Sequence, residues 1–317
     1  MVRDRGGDDL GGLEVWRGGV NTWECDEMGH LNVRFYVARA MEGLVGLASA
    51  MGMSGAFHPN AEATLLLRDQ HIRFMREARP RAALHMIGGL LDISETEARF
   101  VQVLIHSSTG EVAASFQTVV SHVTARDARP FAWSRHTRAL AADLFMQVPP
   151  RAGPRSLDLA PSHGRASLAE ARRLDLICLA SGAVGAGDCD SFGRMRPEFL
   201  IGRISDGIPA LNAALGPRDG AEQAAAPRTG GAVLEYRIAY LAWPGAGDRF
   251  EIHSGLAGVD ERTTRYIHWM VDPESGQAWG SALAVAVGLD LDARKIVPLD
   301  PAARRRLEGR VNSDLTF

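Results

Sequence analysis

"WECDEMGHLNVRFYVARAMEG", Trp23 to Gly43, returns as "GDCDSFGRMRPEFLIGRISDG", Gly187 to Gly207, without a gap and at an offset of 164 residues. Cys25, Asp26, Gly29, Phe35, Arg39 and Gly43 each meet an identical residue, and Glu42 meets Asp206. His30 and Asn32 are replaced by Arg194 and Arg196. The likeness extends from Val20–Gly52 on Val184–Gly216, then from about His71–Val123 on Arg237–Leu289 at an offset of 166. Phe74 meets Tyr240, Gly89 meets Gly255, Arg99 meets Arg265, Gly110 meets Gly276 and Ser115 meets Ser281. Only the loop holding "FHPN" in one copy and "GPRDGAEQAAAPRTGG" in the other changes length. Copies of ~110 residues are too long for solenoid repeats and read as duplicated domains.

Each copy carries the same sequence of signals. A short strand (about Val15–Val20; Leu179–Val184) leads into the repeated phrase as a loop. A long helix follows, Val33 to Ala50, with Phe35, Val37, Ala38, Met41, Leu44, Val45 and Ala48 predicting a wide apolar stripe. Pro197 falls where the first turn of the second helix tolerates proline. Strands are then expected at "HIRFM", "AALHMIGGLLDIS", "ARFVQVLIHSS" and "GEVAASFQTVVSHV", with "SSTGE" and "PESGQ" as hairpin turns. One helix and an antiparallel sheet make an α+β unit with the helix on one sheet face. The expected organisation is a first domain over 13–125, a proline-containing linker with a helix over 126–166, a second domain over 167–292 and a helical tail over 293–317. "HTRALAADLFMQV" supplies one short helical pattern, and Ser167 with Glu170 three residues on supplies a capping box for another.

Composition narrows the function classes. A chain of 317 residues accommodates about two domains, and 46% hydrophobic with 23% charged residues is ordinary for a soluble protein with a sizeable core. A net charge of −3 gives no electrostatic case for nucleic acid or an anionic membrane. Cys25, Cys178 and Cys189 make neither a disulfide framework nor a CxxC pair, which points to a reducing cytoplasm. "MVRDRGGDDLGGLEVW" lacks the apolar stretch of a signal peptide, and no apolar run approaches the ~20 residues of a membrane span. The ten histidines show no HExxH or clustered ligand spacing, so no metal is expected.

Asp26-Glu27-Met28-Gly29-His30-Leu31-Asn32, followed by Tyr36, resembles the D-x-x-G-H-x-N-x-x-x-Y signature of hotdog-fold acyl-CoA thioesterases of the 4-hydroxybenzoyl-CoA thioesterase-like group. Gly187-Asp188-Cys189-Asp190-Ser191-Phe192-Gly193 is similar to its G-D-C-D-x-x-G form. The resemblance covers roughly 13–123 and 177–289 and implies two tandem hotdog domains, each a long helix wrapped by a curved sheet, packed as a pseudo-dimer. It implies hydrolysis of an acyl-CoA thioester to a carboxylic acid and free CoA, with coenzyme A as part of the substrate and no separate cofactor. It also implies that Asp26 activates water or attacks the thioester.

Thioester hydrolysis needs a base or nucleophile and a polarised carbonyl. Asp26 sits just before the long helix, and the N–H groups at the helix start, about Asn32, Val33 and Arg34, are placed to bind the thioester oxygen. Gly29 lets backbone approach a ligand; His30 is a hydrogen-bond candidate for Asp26 or the thioester, and Asn32 for the water. An Asp in this position is also a ready helix N-cap. A Cys25 or Cys189 nucleophile lacks an identifiable His–Asn pair, and each reads better as a small buried residue. In the second copy Asp190 and Gly193 persist, while Arg194 and Arg196 add charge. That charge either holds Asp190 in ion pairs at a site turned structural or suits an acidic group such as a CoA phosphate. "ARRRLEGR" after Asp300-Pro301 reads as a solvated helix face.

Two other functions remain open. A hotdog enoyl-CoA hydratase resembles D-x-N-P-x-H, whereas Asp26 and His30 are four steps apart with no Asn-Pro between them. A hotdog pair that binds acyl-CoA without catalysis is the other. A homodimer of chains is also expected, from the tendency of exposed hotdog sheets to pair.

Overall fold

The computed structural model describes residues 11–161, 164–216, 229–293 and 295–317. The N-terminal decapeptide and most of the longer second-copy loop lie outside the described residues. The chain divides into two compact units that meet at Arg155 and Ser156.

In the first unit, strand β1 (Leu13–Gly19) leads through the repeated phrase into helix α1 (Val33–Ala50). Strands β2 (Ala63–Phe74), β3 (Ala83–Ile93), β4 (Glu97–His106) and β5 (Val112–Thr124) complete an antiparallel sheet in the order β1-β3-β4-β5-β2. Helix α1 keeps the expected bounds but buries a different face. Tyr36, Val37, Ala40, Gly43, Leu44, Leu47 and Ala48 are buried, whereas Phe35, Ala38 and Met41 are half-buried and Val45 is exposed. Close approach of helix to sheet explains the rotation. A Cβ on Gly43 would stand 2.6 Å from Gln102 Nε2 and 2.7 Å from Met86 Sδ, so small residues, not large apolar ones, mark the contact line. Strand β2 also starts eight residues before the expected "HIRFM", because "ATLLL" is buried nearly throughout and shows no alternation. Helix α2 (Arg135–Ala141) follows, capped by Ser134. The proline-containing segment after it is packed onto its own domain. Ala152 joins Val101, Val103 and Ile105 in a cluster on the sheet, with Met146 and Val148 against it. Ser115 Oγ donates to Ala152 O at 3.0 Å.

The second unit repeats the plan. Helix α3 (Leu168–Arg173) starts on Ser167, whose side chain accepts from Glu170 N, as the capping pattern predicted. Strand β6 (Ile177–Ala183), helix α4 (Pro197–Leu215) and strands β7 (Thr229–Tyr240), β8 (Arg249–Val259), β9 (Thr263–Val271) and β10 (Ala278–Asp290) match β1, α1 and β2–β5 in turn. The sheet runs β6-β8-β9-β10-β7, with β11 (Lys295–Val297) added along the end of β10. The outer face is covered by α3 and the C-terminus: Leu168, Ala171 and Leu174 pack with Ile267, Trp269, Val271, Ala278 and Leu315. Helix α5 (Pro301–Glu308) is capped by Asp300, which accepts from Ala302 N and Ala303 N. Each unit is thus a hotdog domain, a single long helix on one face of a five-stranded antiparallel core. Among the described residues no helix is long and apolar enough to cross a membrane.

Candidate active site

The loop before each long helix is hydrogen-bonded the same way in both copies. Asp26 N donates to His30 O and Gly29 N to Asp26 O; Asp190 N donates to Arg194 O and Gly193 N to Asp190 O. Gly29 (φ +74°) and Gly193 (φ +78°) hold the left-handed conformation that this turn requires. Oδ1 of Asp26 accepts from Met28 N (3.0 Å) and His30 N (3.1 Å), and Oδ1 of Asp190 accepts from Phe192 N (2.8 Å) and Arg194 N (2.9 Å). One carboxylate oxygen therefore fixes the loop. Oδ2 of each Asp accepts no hydrogen bond from a described residue, so it is available to water or substrate.

A second carboxylate braces each loop from beneath. Glu24 Oε2 accepts from Asn21 N at 2.8 Å, and its other oxygen pairs with Arg39 of α1. Asp188 accepts from Gly185 N at 3.1 Å and pairs with Arg203 of α4, also at 3.1 Å. Each arginine lies over an aromatic ring, Trp16 and Phe250 respectively. Sequence reasoning passed over this brace, although the repeat advertised it: Arg39 meets Arg203 and Glu24 meets Asp188 at the common offset.

The start of α1 differs from expectation in one respect and supplies a donor in another. Its cap is Asn32, whose Oδ1 accepts from Arg34 N at 3.0 Å; Asp26 is not the cap. The Asn32 N–H donates to Glu24 O. Of the three N–H groups from Asn32 to Arg34, only that of Val33 has no acceptor among the described residues. Val33 as a residue is half-buried. The His30 imidazole is turned to Glu77, with Nε2 at 3.1 Å from Oε2, while its backbone N–H serves Asp26. Tyr36 is buried, edge-on to Phe74 at 5.1 Å, and desolvation raises its hydroxyl pKa. Burial, with the Asp26 and Glu24 carboxylates, pushes the Cys25 thiol up; burial and Asp190 with Asp188 do the same to Cys189. Neither environment favours a thiolate nucleophile.

In the second copy the arginines do not pair with Asp190. Arg196 donates to Gly187 O at 3.0 Å, approaches Glu198 at 3.4 Å and lies over Phe199; the Arg194 guanidinium lies over Phe192. Among the described residues the expected ion pair at Asp190 is therefore not formed: Arg196 is drawn to Phe199 and a backbone carbonyl, and Arg194 lies over Phe192. Pro197 stands at the position of Val33 and has no N–H. The helix start is also closed: Pro197, Glu198 and Phe199 are buried. The second loop keeps the carboxylate and loses the donor.

The spacing search found no metal pattern, yet folding brings Cys178, Glu251 and His253 together on the second sheet. No sequence window spans them.

The model of the thioesterase-like superfamily matches residues 20–141 and 184–307. No curated protein matches the chain. Among solved structures, an acyl-ACP thioesterase from Bacteroides thetaiotaomicron is similar over 86% of this chain and 96% of that one, at 13% identity and a TM-score of 0.61. The 12:0-ACP thioesterase from Umbellularia californica is similar over 86% and 93%, at 9% identity and a TM-score of 0.61. At such identities the likeness is one of fold, and it takes in both hotdog domains.

Proposed function

The chain belongs to the thioesterase-like superfamily, and on that premise we propose that it hydrolyses an acyl thioester, with acyl-CoA as substrate, at the Asp26 loop. The observation that carries the reading is that one copy only combines a carboxylate oxygen with no partner and a helix-terminal N–H with no acceptor among the described residues. The Val33 N–H, backed by the dipole of α1, is suited to the thioester oxygen as charge develops on it. Asp26 Oδ2 is suited to take a proton from water or to attack the carbonyl itself. His30 and Asn32 position the loop, through Glu77 and the α1 cap, instead of entering the chemistry. In the second copy, Gly193, Arg194 and Arg196 are retained as structure, or as contacts for an acidic part of the substrate, without a hydrolytic role.

The test is thiol release from a panel of acyl-CoA and acyl-carrier-protein thioesters. The same panel is run on Asp26→Asn, since Asn keeps the Oδ1 acceptor but cannot act as base or nucleophile. Hydrolysis by the parent with a loss of at least ~100-fold in the variant, at near-normal melting, supports the assignment. Tight acyl-CoA binding without turnover in the parent would favour a binding module.

A further inference from the structure

The second sheet carries a side-chain cluster with no counterpart in the first. Cys178 on β6 is directly opposite His253 on β8, and Glu251 lies two residues back along β8 on the same face. Directly opposed Cβ atoms in such a ladder lie ~4.5–5.5 Å apart. One donor atom from each of the three side chains falls within 4.8 Å of the other two. His253 Nε2 lies 2.8 Å from Glu251 Oε2, while the ring is more than nine-tenths buried and its Nδ1 has no hydrogen-bond partner. Cys178 is exposed, which leaves the cluster open to entry from solvent.

The hotdog fold does not demand these residues. The corresponding positions of the first domain are Glu14, His85 and Ile87. There Glu14 is held by both guanidinium nitrogens of Arg17, and Ile87 packs against the cluster of Val101, Val103 and Ile105. A covered aliphatic position has thus become a buried histidine, with only one ring nitrogen satisfied by the protein.

We propose that Cys178, Glu251 and His253 form a Zn²⁺ site with water in the fourth position. Thiolate, imidazole and carboxylate are donors that zinc takes in tetrahedral geometry at ~2.0–2.3 Å, and an exposed cysteine side chain can swing to close that distance. The thiolate disfavours Mg²⁺ and Ca²⁺, which select oxygen ligands. Bound there, the ion ties β6, the last strand of its sheet, to β8.

The full chain is stripped with chelator and titrated with Co²⁺ as a spectroscopic stand-in. The expected result is a near-ultraviolet thiolate-to-cobalt band saturating at a single ion per chain. Cys178→Ser abolishes the band, and Cys25→Ser and Cys189→Ser leave it intact. His253→Ile, which restores the first domain's side chain and so keeps the packing, weakens binding more than ~10-fold. Zn²⁺ raises the melting temperature of the parent and not of His253→Ile. A parent protein with no such band at saturating Co²⁺, or a band that survives Cys178→Ser, overturns the site. Neither readout depends on thioester hydrolysis, so it fails or stands separately from the proposed activity.

Discussion

The Asp26 and Asp190 loops share a backbone and differ in what that backbone offers. Both hold their carboxylate by the same pair of N–H donors, both turn on a glycine at positive φ, and both are braced by a carboxylate–arginine pair from the helix. Among the differences, one removes a hydrogen-bond donor outright: the N–H of Val33 becomes the ring nitrogen of Pro197. A loop can therefore keep its shape after losing a chemical group.

The largest expected effect breaks this comparison at the carboxylate. Asp26→Asn lowers turnover by ~10²–10⁴-fold, as removal of a general base does, while Asp190→Asn retains most of the activity. If Asp190→Asn abolishes hydrolysis in a folded protein, the second loop is the working one. Next comes Val33→Pro, which writes the second copy's residue into the first. Asn32 already has φ −63° and ψ 143°, the conformation a following proline accepts, and Arg196 before Pro197 has nearly the same. The fold is expected to survive and kcat to fall by ~10²–10³-fold, the usual cost of one oxyanion donor. Unchanged kcat in a correctly melting Val33→Pro protein would remove the N–H from the mechanism.

Stability predictions are smaller. Arg39→Met leaves buried Glu24 without its cation and is expected to cost about 3 kcal/mol in denaturant unfolding. Arg203→Met costs less, because Asp188 is more open to water. Equal costs would show that burial of the brace is not what matters. The smallest effect concerns pH. His268 lies in the second domain where the first has Gln102; it accepts or donates one bond to Ser254 at 2.7 Å, and burial pulls its pKa down to about 3. The folded state thus refuses a proton that the unfolded chain takes near pH 6.5, so stability present above that pH is lost progressively as pH falls from ~6.5 toward 3. Between pH 7 and pH 5 this group is expected to remove about 2 kcal/mol. His268→Gln should flatten that slope in urea midpoints, and a slope that persists would assign it elsewhere.

Much of the fold was legible because the chain contains its own alignment. The helix bounds at Val33 and Ala50, the hairpin turns and the caps at Ser167 and Asp300 were all written in local residues. The buried face of α1 was not, since it includes Gly43, whose smallness counts only where Gln102 and Met86 would stand 2.6 and 2.7 Å from an added Cβ. Of the candidate site, Asp26 and Gly29 could be read from spacing. The helix-start N–H groups from Asn32 to Arg34 could be named together, but not that Val33 alone among them keeps no acceptor, because that depends on Glu24 O and Asn32 Oδ1 taking its neighbours. Glu77 arrives from the loop after β2 and the Cys178 cluster from two strands distant in sequence, which spacing cannot see.

The duplicated loop has a consequence for how such a chain changes. In an assembly of identical subunits, every substitution is written into both loops at once, so a proline at the Val33 position would remove the helix-start N–H from both. Fusion uncouples the two. In one chain the second loop can carry two arginines and a proline while the first keeps His30, Asn32 and Val33, so each copy can change without dictating the other.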